Sequence, residues 1–316
     1  MPSNNNVSIT AVILNRLADA CEEHLHDARL AQRLRALAAQ KETFRPNEKS
    51  STLAEAAALA GALSRYANSD NSTPDALKEL TFRVENALAA SARKEAARRV
   101  AGLYVIVDPE LTRGRDVVDV ARAALRGGAT AIQLRDKVHD KGDQLPVARR
   151  LLKVCQEHGA SFIVNDHADL AVACGSHGLH VGQHDIPVAE ARRVLYPTQF
   201  LGTSNALLQE AEASAHEQVD YIAVGAMYST DSKGNTRPAG IQGLRRVRER
   251  VSGIPVVAIG GITLDNIDPV LEAGADGICV IGAVCLADDP EQAARLLVER
   301  IRASQAASPG GYHGSA

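Results

Sequence analysis

Residues 131–166 read AIQLRDKVHDKGDQLPVARRLLKVCQEHGASFIVND and contain one complete strand–helix–strand unit. The run AIQL near its start and the run SFIV near its end are short and apolar, which predicts two buried strands. Between them, Leu145–Glu157 has the apolar spacing of an amphipathic helix. A strand, a helix and a second strand in this order predict two parallel strands joined by a helical crossover.

The same unit recurs from Gly102 onward. Further helical segments are predicted at Val117–Leu125, Val188–Leu195, Leu244–Val251 and Asn266–Glu272. The eight apolar runs are GLYVIVD, AIQLRD, SFIVND, GLHVGQ, FLGTSN, YIAVGAM, PVVAIGG and GICVIGA. Eight strand–helix repeats in about 200 residues predict an α/β fold, the (β/α)8 TIM barrel. The alternative, an open doubly wound sheet, would normally include longer connections and one reversal of strand order.

The chain before Gly102 has a helical pattern instead. Asp27 is a predicted N-cap, Thr52 and Glu55 form a predicted capping box, and Thr73-Pro74 fits an N-cap followed by the first helical position. These signals predict a small all-α N-terminal domain.

The predicted domain organisation is therefore a helical domain over 1–100, a barrel over 101–303 and a flexible tail over 304–316.

Composition narrows the class of partner. The net charge of −3, the 3% aromatic content and the absence of Trp argue against nucleic acid binding. The five cysteines are scattered without a CxxC pair, which favours free thiols in a reducing compartment. Because no secretory pattern and no membrane-spanning apolar run are recognised, a cytoplasmic location is expected. Whether copies of the chain form a homo-oligomer is left open.

Polar residues collect where the predicted strands end. In a β/α barrel these ends meet at one rim, where active sites lie. Alternation places Gln133, Arg135 and Lys137 on one face of the second strand. Asp166 and Asp185 follow the third and fourth strands and are suitable oxygen ligands for Mg²⁺. Cations beside a two-carboxylate metal site predict a bound pyrophosphate.

A second anion site is predicted across the rim. The loop YSTDSKGNTRPAG after the sixth run is polar and contains a lysine. Gly260-Gly261 and Gly282 follow the seventh and eighth runs, where barrels often bind a phosphate through backbone N–H groups. The sequence therefore predicts a monophosphate on this side.

Each signal also has a structural interpretation. Arg135 could form a rim ion pair with Asp136 or Asp166, and Asp166 could cap the helix that begins near Ala168. Gly260-Gly261 could serve only a tight turn. The histidines lack the ligand spacing of a zinc site, so they are predicted to be core or rim residues; they are His167, His177, His180 and His184. Joint placement at one rim favours a binding site.

Seven motifs carry a family resemblance. In order along the chain they are QLRDK, VND, VGQHD, GTS, TDSKGNTRPA, AIGGIT and CVIGA. Together they resemble the thiamine-phosphate synthase family over Gly102–Arg302. The resemblance implies a transferase that joins an aminopyrimidine methyl pyrophosphate to a thiazole phosphate and releases pyrophosphate, with Mg²⁺ assistance and small-molecule substrates.

The resemblance also implies roles for individual residues. The pyrimidine pyrophosphate would be held by Gln133, Arg135, Lys137 and Asn165, with Ser204 facing the pyrimidine and Lys233 the pyrophosphate. Mg²⁺ would be bound by Asp166 and Asp185. The thiazole phosphate would be held by Thr230, Ser232, Gly261, Ile281 and Gly282. Of these residues, Arg135, Lys137, Ser204 and Lys233 are expected to act in catalysis.

Three positions depart from the family pattern. Ala206 stands where many members have His, His184 where a Glu is common, and Gly282 where Ser is usual. Related thiazole tautomerases share the barrel and use that His, so Ala206 argues against a tautomerase-like isomerase. The remaining alternative is a non-catalytic barrel that senses thiamine intermediates. The helical extension resembles a domain that precedes some of these synthases, and a packing, dimerisation or regulatory role is favoured for it over a second activity.

Overall fold

The computed structural model describes residues 15, 18–19, 22, 28–42, 75–217, 219–229 and 238–307. The chain divides into two compact units, Met1–Leu88 and Ala89–Ala316. Helix α1 (Ala28–Glu42) lies in the first unit, and helix α2 (Asp75–Ala97) runs across the boundary. The predicted caps at Asp27, at Thr52 with Glu55 and at Thr73-Pro74 lie outside the described residues.

Eight parallel strands close into a barrel, which confirms the predicted fold. Each strand pairs with the next along the chain, and β8 pairs with β1 to complete the ring. The strands coincide with the eight predicted apolar runs. They are β1 (Leu103–Val107), β2 (Ala131–Leu134), β3 (Ser161–Asn165), β4 (Gly178–Val181), β5 (Phe200–Asn205), β6 (Tyr221–Gly225), β7 (Val256–Ile259) and β8 (Gly277–Val280).

Helices follow the strands and pack outside the barrel. They are α3 (Val117–Arg126), α4 (Lys141–Glu157), α5 (Ala168–Cys174), α6 (Val188–Val194), α7 (Leu208–His216), α8 (Gly240–Arg250), α9 (Asp268–Glu272), α10 (Gly282–Cys285) and α11 (Pro290–Ala307). The sequence carries little signal for α7, because its buried positions are only Ala211 and Ser214. No described helix is long and apolar enough to cross a membrane.

The barrel interior is filled by large rings that face glycines. Tyr104, Phe200 and Tyr221 belong to the interior cluster and are almost fully buried. A Cβ at Gly202 would lie 2.0 Å from a ring carbon of Tyr221, and one at Gly178 would lie 2.5 Å from the ring of Phe200. Both glycines therefore make room for an aromatic side chain.

Residues that precede β1 close the amino-terminal end of the barrel. Arg93 Nη1 donates to the carbonyl of Pro197 at 2.7 Å, and Ser161 Oγ donates to the carbonyl of Ala96 at 2.8 Å. Val100 is buried in the interior cluster. With this end filled, the open mouth of the barrel is the opposite rim, where the strands end.

Candidate active site

The end of β2 presents two polar side chains inward. Gln133 is 1% exposed, and its Nε2 donates to Tyr104 Oη at 2.5 Å. Arg135 Nη1 donates to the carboxylate of Asp108, which follows β1 and is also 1% exposed. The partner of Arg135 is thus neither Asp136 nor Asp166. Asp108 holds the Arg135 guanidinium in place. The sequence marks Asp108 only by its position after an apolar run and before a proline.

Asp136 and Lys137 point to opposite sides of the backbone, as the alternation of side chains along a strand predicts. The Asp136 carboxylate turns back and accepts from the backbone N–H groups of Val138 and His139, each at 3.0 Å. Lys137 Nζ donates to the carboxylate of Asp166 on the neighbouring strand end. Gln133, Arg135 and Lys137 therefore share the mouth of the barrel, while Asp136 stabilises the loop.

Asp166 and Asp185 face each other across the ends of β3 and β4. Their side chains share a hydrogen bond, and Asp185 also accepts from the N–H of Gly182 at 2.7 Å. Helix α5 is preceded by His167 without a side-chain cap, so the capping interpretation of Asp166 is wrong.

The two carboxyls differ in acidity. Burial raises the pKa of Asp166, the neighbouring Asp185 raises it further, and Lys137 opposes both effects. Burial also acts against ionisation of Asp185, but the hydrogen bonds from Asp166 and from Gly182 outweigh it and lower the pKa of Asp185. Two carboxyls this close together are suited to a divalent cation, which would offset the negative charge that they share.

Two further predicted residues complete this side of the mouth. Asn165 is 8% exposed, yet its side chain makes no hydrogen bond with another described residue. Ser204 Oγ lies 2.8 Å from His180 Nε2, and Gln183 Nε2 donates to the Ser204 carbonyl at 2.7 Å. The Asn165 amide is therefore available to a ligand bound in the mouth.

The opposite side of the mouth is built from backbone. Gly260 and Gly261 have φ values of 103° and 67°, and a Cβ at Gly261 would lie 2.8 Å from the Ser229 carbonyl oxygen. Ile281 precedes α10, which starts at Gly282, and the first N–H groups of a helix have no intrahelical acceptor. These groups are available to an anion. Thr230, Ser232 and Lys233 lie outside the described residues.

Two of the four histidines have partners inside the protein. His177 Nδ1 accepts from the N–H of Phe162 at 2.9 Å, and burial lowers its pKa. His180 lies inside the barrel, where it stacks on Tyr221 with ring centroids 5.6 Å apart. Among the described residues, no three His, Cys, Asp or Glu side chains are grouped to hold a metal ion.

Comparisons with known proteins agree with this geometry. Residues 103–284 match the family model for thiamine monophosphate synthase. A thiamine-phosphate synthase of Albidiferax ferrireducens is 43% identical over 68% of this chain and 97% of its own length. One of Methanoculleus marisnigri is 44% identical over 65% of this chain and 97% of its own length.

A solved structure shares the barrel. The thiamine phosphate pyrophosphorylase of Pyrococcus furiosus is 37% identical, with a TM-score of 0.61, and the match covers 66% of this chain and 98% of that protein. About two-thirds of this chain thus corresponds to nearly the whole of these relatives. This chain belongs to the thiamine-phosphate synthase family.

Proposed function

We propose that this chain is a transferase that condenses an aminopyrimidine methyl pyrophosphate with a thiazole phosphate to give thiamine phosphate and pyrophosphate. Membership in the family supports the reaction. The observation that carries it is the meeting of Arg135, Lys137 and two carboxylates at one point of the rim. Both substrates are small molecules, and both carry phosphate.

The proposed chemistry is a dissociative substitution. The bond between the pyrimidine methylene and the pyrophosphate oxygen breaks first, and the thiazole nitrogen then attacks the cationic carbon. Such a step depends on neutralising the leaving group and holding the two reactants in line. Arg135, held by Asp108, and Lys137 would neutralise pyrophosphate charge. No general base is needed.

The donor set fits Mg²⁺. Asp166 and Asp185 supply two oxygen ligands, and no third His, Cys, Asp or Glu joins them among the described residues. Mg²⁺ prefers such sites, since it keeps several waters and binds substrate phosphates. When bound, the ion would offset the negative charge of the departing pyrophosphate. Lys137, now paired with Asp166, would then be free to turn to the substrate.

The remaining residues would orient the two substrates. Gln133, Asn165 and Ser204 would contact the pyrimidine, because their polar atoms lie at the mouth beside the cations. The backbone at Gly261, Ile281 and Gly282 would hold the thiazole phosphate. The resemblance adds Thr230 and Ser232 to that phosphate site, and Lys233 to the pyrophosphate site.

An isomerase of the tautomerase type is not favoured. At Ala206, where that activity would use a histidine, the side chain is a methyl group and the backbone N–H donates to the Glu210 carboxylate at 2.8 Å. No acid or base is therefore present at this position. Such an isomerase would turn over without Mg²⁺ and would tolerate the loss of Asp166.

The deciding experiment measures thiamine phosphate formed from the two substrates, with and without Mg²⁺, by the full chain and by Arg135→Ala. We expect product only with Mg²⁺, and a loss of about a hundredfold or more in the variant, because a charge-assisted contact to the leaving group is removed. Arg300→Ala is the matched control, since Arg300 pairs with Asp268 on the outer helices. Binding of both substrates without product would favour the sensor instead.

A further inference from the structure

A chain of hydrogen bonds crosses the barrel interior beneath the rim. Gln133 Nε2 lies 2.5 Å from Tyr104 Oη, which lies 3.2 Å from Tyr221 Oη. Tyr221 Oη lies 2.8 Å from His180 Nδ1, and His180 Nε2 lies 2.8 Å from Ser204 Oγ. This interior chain of five residues connects the two side chains assigned above to the pyrimidine, Gln133 and Ser204.

The three central members of the interior chain are almost fully buried. Tyr104 is 1% exposed, Tyr221 0% and His180 6%. Burial raises the pKa of Tyr104 and of Tyr221 above that of a free phenol, so both hydroxyls are protonated at neutral pH. Each phenol therefore has one proton to donate and one oxygen that accepts.

The composition of the interior chain gives it a direction. Gln133 Nε2 can only donate, so Tyr104 Oη accepts from it and directs its own proton to Tyr221. Tyr221 then donates to His180 Nδ1, which must accept. A neutral imidazole that accepts at Nδ1 carries its proton on Nε2, and this N–H donates to Ser204 Oγ.

The last hydroxyl proton of the interior chain belongs to Ser204. Its oxygen already accepts from His180, so its hydroxyl proton is left to point into the mouth. The ring nitrogens of an aminopyrimidine accept hydrogen bonds, and its amino group donates them. A serine with a fixed proton would therefore recognise a ring nitrogen.

We propose that Tyr104, Tyr221 and His180 are positioning residues that fix Ser204 as a hydrogen-bond donor to the pyrimidine and hold Gln133 beside it. The proposal rests on the proposed function, because it takes Ser204 to contact that substrate. The rings are held by packing: Tyr221 meets Phe200 edge-on at 6.0 Å and lies in the space left by Gly202. Removing a hydroxyl therefore breaks the interior chain without moving the ring.

The test is Tyr221→Phe, combined in a double-mutant cycle with Ser204→Ala. We expect kcat/KM for the pyrimidine pyrophosphate to fall about tenfold in Tyr221→Phe, the worth of one buried hydrogen bond. The KM for the thiazole phosphate should stay close to that of the parent, and Tm should fall only by a few degrees, because Tyr104 Oη and His180 Nδ1 lose one buried partner. In the cycle, Tyr221→Phe should add nothing once Ser204 is alanine, because its effect passes through that hydroxyl.

Two controls separate positioning from packing. Phe200→Leu trims the same aromatic cluster without touching a hydrogen bond, and should lower Tm while kcat/KM is retained. His180→Gln keeps an N–H donor near the place of Nε2, whereas His180→Asn keeps one only near Nδ1, so Gln should recover more activity.

The outcomes also distinguish the contact of Ser204 with the pyrimidine from the positioning role of the interior chain. Full activity of Ser204→Ala would remove the contact assigned under the proposed function, and the positioning role with it. If Ser204→Ala is impaired and the losses in kcat/KM of Ser204→Ala and Tyr221→Phe multiply in the double variant, the two effects are independent. The contact of Ser204 with the pyrimidine would then be retained, and only the positioning role of the interior chain would be wrong. Loss of kcat/KM in Phe200→Leu equal to that in Tyr221→Phe would assign the effect to packing.

Discussion

At the scale of single residues, Asp166 combines two features that stability alone does not explain. Its φ of 61° lies in the left-handed region that residues other than glycine seldom occupy. Its carboxyl is half-buried beside a second carboxyl, and both surroundings raise its pKa. Residues held in sparsely populated backbone regions cluster at active sites and ligand clamps. A cation between Asp166 and Asp185 would relieve the electrostatic cost.

Replacing Asp166 with Asn should abolish thermal stabilisation by Mg²⁺ with inorganic pyrophosphate. A ligand that binds only the folded state raises stability by about 2.7 kcal/mol at a hundred times its Kd. We therefore expect the parent Tm to rise on addition of both and the Asp166→Asn Tm to stay constant in differential scanning calorimetry. The parent increment should fade as pH drops through the raised pKa of Asp166, because protons then compete with the ion.

The matched control is Asp169→Asn. Asp169 lies three positions further along, pairs with Lys141 and is exposed. The ion pair with Lys141 lowers the pKa of Asp169, whereas the surroundings of Asp166 raise the pKa of that carboxyl. This variant should keep the increment in Tm. An Asp166→Asn protein that is stabilised as much as the parent would place the ion elsewhere.

At the scale of elements, packing inside the barrel depends on the glycines of β4 and β5 as much as on the large side chains. Gly202→Ala would put a methyl group 2.0 Å from the Tyr221 ring, which Phe200 and His180 prevent from moving. We expect the free energy of unfolding in urea to fall by about 1–3 kcal/mol, the cost of overpacking a core.

Gly142→Ala serves as its control in the same urea experiment. No atom lies within 4 Å of the Cβ that it would add in the first turn of α4. Alanine is favoured over glycine in a helix by about 0.5–1 kcal/mol, so this variant should be at least as stable as the parent. Equal stability of the Gly202→Ala and Gly142→Ala proteins would contradict the packing described for β5.

Sequence pattern predicts the elements well and their side-chain partners poorly, for a physical reason. An apolar run of four or five residues is a local property, so all eight strands could be found. The bond between Tyr104 and Tyr221 joins residues 117 positions apart, and no local pattern encodes it. The sequence offered Asp136 and Asp166 as partners of Arg135, yet its partner is Asp108, which follows the adjacent strand β1. Placement at the rim is predictable because strand ends meet there.

At the scale of the whole molecule, Asp220 connects the last turns of α2 with the barrel. Its carboxylate accepts from Arg93 Nε at 3.3 Å, from Arg192 Nη2 at 2.6 Å and from the backbone N–H of Leu201 at 2.8 Å. All of these groups lie at the amino-terminal end of the barrel and are nearly buried. One carboxylate therefore joins the segment before β1 to two other parts of the barrel.

Asp220→Asn should therefore destabilise the barrel strongly. Removing one partner of a buried ion pair leaves uncompensated charge and costs about 3–5 kcal/mol. Here both arginines would lose their ion pair with Asp220, whereas Asp268→Asn breaks only the exposed pair with Arg300, which contributes little to stability. Urea unfolding of the full chain measures both. Since Asp220 lies at the end of the barrel opposite the rim, kcat of the folded Asp220→Asn protein should match the parent. A loss of kcat without loss of stability would mean that the two ends of the barrel are coupled.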